Sequence, residues 1–145
     1  MTQTILQIIL DTNILVAAFR SKRGAANLLL DKLKDSRWQV NVSTALLLEY
    51  EDVLKRPEMN DFIAESDVDI FLNGLCTIAK CHDIFYLWRL LAKDPNDAFI
   101  LELAVRINAD FIITYNAKDF SAAADFDIRL VTPKEFLQFV GDLQK

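Results

Sequence analysis

"ILQIILDTNILVAAF" (Ile5–Phe19) changes its periodicity at a single residue. From Ile5 to Leu10 the apolar side chains run almost without a break, the pattern of a strand buried on both faces of a parallel sheet. From Ile14 to Phe19 the pattern is helical. Asp11 stands at the change, so the stretch predicts a strand that ends on a carboxylate and turns directly into a helix. A buried strand followed by a helix belongs to an α/β architecture.

The rest of the chain repeats that alternation. The basic turn Arg20-Ser21-Lys22-Arg23-Gly24 leads into a helix over 25–33, and Trp38-Gln39-Val40-Asn41-Val42 reads as a second strand. Ser43 is placed to cap a helix that ends near Arg56, before Pro57. Ser66 followed by Asp69 resembles a capping pair and predicts a helix over 67–79. A short strand is expected over 83–87. Asp94-Pro95 opens a helix that runs to about Ile107, and strands follow over 111–114 and 128–131. Thr132-Pro133-Lys134-Glu135 carries the N-cap, the N1 proline and the N3 glutamate of a final helix. With only three Gly and three Pro, the elements must be joined by short turns. The expectation is one domain over 1–145, an α/β sandwich around a mainly parallel sheet.

Composition narrows the function. A hydrophobic content of 52% in 145 residues supplies a core and excludes a disordered chain. The opening Met-Thr-Gln-Thr lacks the basic flank of a signal peptide, and no apolar run reaches the length of a membrane span. A soluble, cytoplasmic protein without membrane association is expected. Cys76, Cys81 and His82 are the only Cys and His residues, too few in this spacing for a zinc site or a disulfide framework. A net charge of −5 argues against gripping nucleic acid by bulk electrostatics, but not against meeting phosphate through bound cations.

In open α/β sheets, chemistry collects beyond the carboxyl ends of the strands. Asp11 follows the first strand, and Thr114, Asn116 and Asp119 follow the fourth, at the same edge. Asp110 precedes that strand and reads as a turn residue of the opposite edge. In the helix after Ser43, Leu46, Leu47, Tyr50, Val53 and Leu54 form the apolar arc, with Glu49 and Glu51 on its two borders. The wheel does not choose between them. Glu51 has Lys55 and Asp52 has Arg56 four positions on, both favourable surface pairings, whereas Glu49 has Val53 there. In "KDPNDAF" (Lys93–Phe99), Asp94 as N-cap, Pro95 at N1 and Asp97 at N3 describe an ordinary helix start. That reading leaves Asp97 free to face Asp11 as well.

"IILDTNILVAAF" (Ile8–Phe19), "LLLEYEDVLKRPE" (Leu46–Glu58), "DPNDAFILELAV" (Asp94–Val105) and "FIITYNAKDF" (Phe111–Phe120) together resemble the PIN-domain family. "VTPKEFL" near the end is similar to a closing segment of one bacterial branch, the toxin components of toxin–antitoxin pairs. Each motif is weak alone, but four in order across almost the whole chain are specific. The resemblance implies a Rossmann-like three-layer α/β/α sandwich and a metal-dependent ribonuclease holding Mg²⁺ or Mn²⁺ on a few acids. Carried over by position, those acids are Asp11, Glu49, Asp97 and Asp119, with Asn13, Asp94, Thr114 and Asn116 in support. Many members carry an acid where this chain has Asn116. Others share its Asn-x-x-Asp-Phe pattern, which makes Asp119 the fourth acid and argues against a strong second metal site. RNA as substrate, a small antitoxin protein as partner and a homodimer are further expectations of the resemblance.

The chemistry suits these residue types. Phosphodiester hydrolysis needs shielded phosphate oxygens, an activated water and a stabilised alkoxide, all of which a hard cation on carboxylates supplies. Two carboxylates about 5 Å apart repel by roughly 3 kcal/mol at an effective dielectric near 20, so a cluster calls for a proton or a cation. Arg20, Lys22 and Arg23 are candidates for backbone phosphate, and Phe62, Phe85, Tyr86 and Trp88 for either base stacking or core. Two competing classes remain: a binding module with a degenerate site, invited by Asn116, and phosphoryl transfer through an aspartyl phosphate. The latter ranks lower, because Asp11-Thr12-Asn13 lacks a second aspartate two positions on.

Overall fold

The computed structural model describes residues 4–83 and 95–144, with residues 95–97 described by backbone alone. Five strands form one sheet: β1 (Leu6–Leu10), β2 (Trp38–Ser43), β3 (Lys80–His82), β4 (Phe111–Ile113) and β5 (Arg129–Val131). Their order is β3-β2-β1-β4-β5, and every pairing is parallel. The mainly parallel sheet expected from the sequence is therefore parallel throughout. Parallel neighbours require crossovers, and the helices supply them: α1 (Thr12–Arg20), α2 (Ala25–Asp31), α3 (Thr44–Leu54), α4 (Glu65–Ile78), α5 (Pro95–Ile107) and α6 (Pro133–Phe139).

Strand periodicity assigns the layers. Trp38 of β2 and Phe111 of β4 meet Phe136 of α6 edge to face, with ring centroids 5.2 and 5.4 Å apart. On the opposite face, Gln7, Gln39 and Asn41 share a hollow with Arg106 and Ile107 of α5. The sheet is thus the middle of three layers, as expected. Ile8, Ile9 and Leu10 are fully buried, as the unbroken apolar run requires of a central strand.

Local signals were honoured where the backbone needed them. Ser43 Oγ accepts the Leu46 amide at 3.2 Å and caps α3. Thr132 and Glu135 close both bonds of the capping box, at 3.1 and 2.9 Å. The Glu51–Lys55 and Asp52–Arg56 pairs form, at 3.5 and 3.0 Å.

One expectation needs correction. The helix α4 starts at Glu65 with Ala64 as N-cap and no side-chain cap bond, so Ser66 is inside the helix. The edge strand of the sheet lies at Lys80–His82, paired with Asn41–Ser43; the strand expected over 83–87 falls, beyond Asp83, outside the described residues. Asp119, which follows β4, sits in a 3-10 segment, Ala117–Phe126, kinked at Phe120. His82, the lone histidine, is a structural residue: its Nε2 lies 3.0 Å from Asn41 Oδ1 inside the β2–β3 pair. Both cysteines are free and exposed. Among the described residues no helix is long and apolar enough to cross a membrane.

Candidate functional site

The strand order reverses between β1 and β4, with β2 on one side and β5 on the other. Leu10 pairs with Ile113 at the carboxyl edge, so the next residues, Asp11 and Thr114, stand side by side at the switch point. The Asp11 amide donates to the Ile113 carbonyl at 2.9 Å, and the Thr114 amide donates to the Val131 carbonyl at 2.8 Å. Thr114 Oγ1 then donates to Asp11 Oδ2 at 2.7 Å, and accepts the Asn116 amide at 2.9 Å.

Asp11 is only 7% exposed. It occupies the N-cap position of α1 without closing a side-chain cap bond, although the Thr12 and Asn13 amides lie close. Burial raises its carboxyl above the ordinary range. The Thr114 hydroxyl and the two amides pull against that rise, and the Asp119 charge adds to it.

Glu49 comes from α3. It is half-buried, with Oε2 shielded from solvent. Its neighbour Tyr50 is fully buried, and the Tyr50 hydroxyl donates to the Leu10 carbonyl, the last of β1. The Tyr50 phenol is pushed well above its usual range by burial first, and then by the charges of Asp11 and Glu49. One buried ring therefore senses both acids. On the opposite border of the helix, Glu51 pairs with Lys55, which also reaches Asp69 of α4 at 2.7 Å. Glu51 is thus engaged in a surface ion-pair group, while Glu49 directly precedes the tyrosine that reaches the end of β1.

Asp119 is half-buried, and its amide donates to the Asn116 carbonyl at 3.0 Å. Asp97 is the third residue of α5, as the Pro95 start predicted, and its side chain lies outside the described residues, as does Asp94. Thr12 Oγ1 and Asn13 Oδ1, at the first turn of α1, are buried with no hydrogen-bond partner among the described residues. Asp110, at the other edge, accepts the Gln7 amide at 2.7 Å and has a structural role. The sequence reading passed over Glu102, which is 1% exposed on α5 with Arg106 at 3.6 Å; an acid one turn from its own arginine looks like a surface pair in sequence.

The donor set is carboxylate, hydroxyl and amide oxygen, which suits a hard divalent cation, and the two orphaned oxygens beside Asp11 leave acceptor capacity there. No group of three His, Cys, Asp or Glu gathers into metal-holding reach among the described residues, a set without the Asp97 side chain. Arg20, Lys22 and Arg23 are exposed, and the Arg20 guanidinium lies 5.2 Å from the Phe62 ring centroid. Phe62 is partly exposed, whereas Phe85, Tyr86 and Trp88 lie outside the described residues.

Residues 7–118 match the family model of the PIN domain. No curated protein matches the chain significantly. Among solved structures, a chain of VapBC2 from Rickettsia felis, bound to a promoter DNA fragment, is similar with TM-score 0.61 at 19% identity, over 86% of this chain and 98% of that one. VapBC-1 from nontypeable Haemophilus influenzae gives TM-score 0.60 at 15% identity, over 88% and 98%. DNA-bound VapBC from Salmonella typhimurium gives TM-score 0.61 at 17% identity, over 89% and 99%. At these identities the likeness is one of fold.

Proposed function

The chain belongs to the PIN-domain family, a family of nucleases, and from that premise we propose that it is a metal-dependent endoribonuclease, the toxin of a toxin–antitoxin pair. One observation carries the reading: a carboxylate only 7% exposed at the topological switch point, held by a 2.7 Å hydrogen bond from Thr114, with two oxygens of Thr12 and Asn13 at the adjoining helix start unpartnered among the described residues. Burying an acid costs stability, and a bound cation offsets that cost.

Asp11, Glu49, Asp97 and Asp119 would hold Mg²⁺ or Mn²⁺, with Asn13, Asp94, Thr114 and Asn116 in support. When bound, the ion supplies charge shielding for the phosphate, a nucleophilic water at neutral pH and stabilisation of the leaving oxygen. The chain's own residues do the positioning. The hydrogen bond from Thr114 fixes one oxygen of Asp11 and favours its ionised form, opposing the effect of burial. Asn116 orders Thr114 through its amide, so its backbone contributes even though its side chain is neutral. The exposed Arg20, Lys22 and Arg23 offer phosphate contacts for an RNA strand that an acidic protein otherwise repels. The VapBC neighbours are toxin–antitoxin complexes, which supports an antitoxin as partner.

The test compares the wild type with Asp11→Asn for RNA cleavage in Mn²⁺ and for Mn²⁺-dependent thermal stabilisation. Both should be lost in the variant; cleavage by Asp11→Asn at the wild-type rate sinks the assignment. Asn116 favours a second reading, a PIN-fold binding module with a weak site. It predicts partner binding without Mn²⁺ stabilisation of the wild type.

A further inference from the structure

We infer that Tyr50 is a positioning residue for the candidate metal centre: its buried hydroxyl fixes the placement of Asp11 relative to Glu49. The inference rests on the proposed reading of those two acids as ligands.

Asp11 and Glu49 come from different elements, and something must set their spacing. The peptide that joins Leu10 to Asp11 is held at both of its polar ends. Its carbonyl accepts the Tyr50 hydroxyl from α3, and its N–H donates to the Ile113 carbonyl of β4 at 2.9 Å. The register of β1 against β2 runs from Leu6↔Trp38 to Ile8↔Val40. Two residues beyond the end of that pairing, the Leu10 carbonyl accepts the Tyr50 hydroxyl. This side chain is thus a strut from α3 to the last peptide of β1.

The strut is rigid. Tyr50 is 0% exposed, between Leu46 and Leu54 of the same buried helix face, so its ring has no room to swing. It is also covalently adjacent to Glu49. One residue therefore sets where Glu49 leaves its helix and how the peptide before Asp11 is oriented. If that peptide turns about its flanking bonds, the Asp11 carboxylate is carried away from Thr114 Oγ1, now at 2.7 Å. Divalent ions of the Mg²⁺ type demand near-ideal ligand geometry, so a small displacement of one carboxylate weakens binding.

Tyr50→Phe keeps the ring and removes only the donor. The control is Leu54→Val, one turn on along the same buried face, where the hydrogen bond is untouched. Mn²⁺ affinity is read by calorimetric titration and by metal-dependent thermal shift, beside the melting of the metal-free proteins. Tyr50→Phe should bind Mn²⁺ about tenfold more weakly, the scale seen when residues supporting metal ligands are changed. Leu54→Val should lose thermal stability and keep its affinity. The metal concentration for half-maximal RNA cleavage should rise in Tyr50→Phe more than turnover at saturating metal falls. Unchanged Mn²⁺ affinity in Tyr50→Phe, with wild-type binding abolished by Asp11→Asn, overturns the role of Tyr50 and leaves the proposed function standing. Equal loss of affinity in Leu54→Val also overturns it, since the effect is then general loosening. Wild-type and Asp11→Asn proteins that bind Mn²⁺ alike, or not at all, overturn the proposed site and the Tyr50 role together.

Discussion

Thr114 Oγ1 donates a 2.7 Å hydrogen bond to Asp11 Oδ2, joining the ends of two neighbouring strands that lie 103 positions apart in the chain. Both residues are buried, and the Asn116 amide holds the Thr114 oxygen from the other side. Thr114→Val therefore removes a donor from a carboxylate and an acceptor from an amide at once. The expected loss is about 1–3 kcal/mol in metal-free stability, measured by denaturant unfolding. Thr114→Ser keeps the hydroxyl and should recover most of it. Because this bond lowers the Asp11 pKa, Thr114→Val should also make Mn²⁺ binding more sensitive to acid.

Asp11→Asn has an effect whose sign depends on pH. Burial raises the Asp11 carboxyl above 3.8 in the folded protein, so the folded state keeps a proton that the unfolded chain releases. Metal-free stability therefore falls as pH rises from the ordinary carboxyl range through the raised value. Asparagine does not titrate. The variant should gain on the wild type as pH rises toward neutrality and show no advantage in acid below that range. Thermal melts in chelator across pH measure this; an advantage confined to acid would contradict the origin given for the shift.

Asn116→Asp restores an acid where many family members carry one. A third or fourth carboxylate near Asp11 adds repulsion of order 1–3 kcal/mol in the metal-free protein. It should lower metal-free stability and raise Mn²⁺ affinity. Titration of both proteins checks the pair of effects, and a variant with lower stability and no gain in affinity would place position 116 outside the centre.

The acid side of the stability curve has a separate source. Arg37 bridges Asp35 at 2.7 Å and Asp142 at 2.8 Å, while its guanidinium stacks on Trp38. Hydrogen bonds from Arg37 depress Asp35 to about 2 and also lower Asp142. Depressed carboxyls stabilise fully above 3.8 and lose that contribution as pH falls through about 2. Arg37→Ala should flatten the unfolding profile between those values, and high salt should weaken the effect, because the cluster is solvent-exposed. An unchanged acid profile in the variant would show that other carboxylates govern it.

Much of the fold is local and therefore legible. The apolar run before Asp11 can only be a doubly buried strand, and Thr132-Pro133-Lys134-Glu135 closes its capping box from its own residues. Where tertiary packing decides, a local signal misled: Ser66 looked like a cap, yet α4 begins one residue earlier.

The sequence alone determined which residues could enter the site, because strand ends and helix starts put their acids at one edge of a parallel sheet. It could not order Glu49 against Glu51, since both border the same apolar arc. What the packed structure adds is that Glu51 is engaged by Lys55, which also reaches Asp69, and that Tyr50, next to Glu49, is set against the end of β1. Side-chain periodicity reports which face of an element is buried. It carries no information about which distant element comes to cover that face, and the meeting of Asp11 with Thr114 is a fact of that second kind.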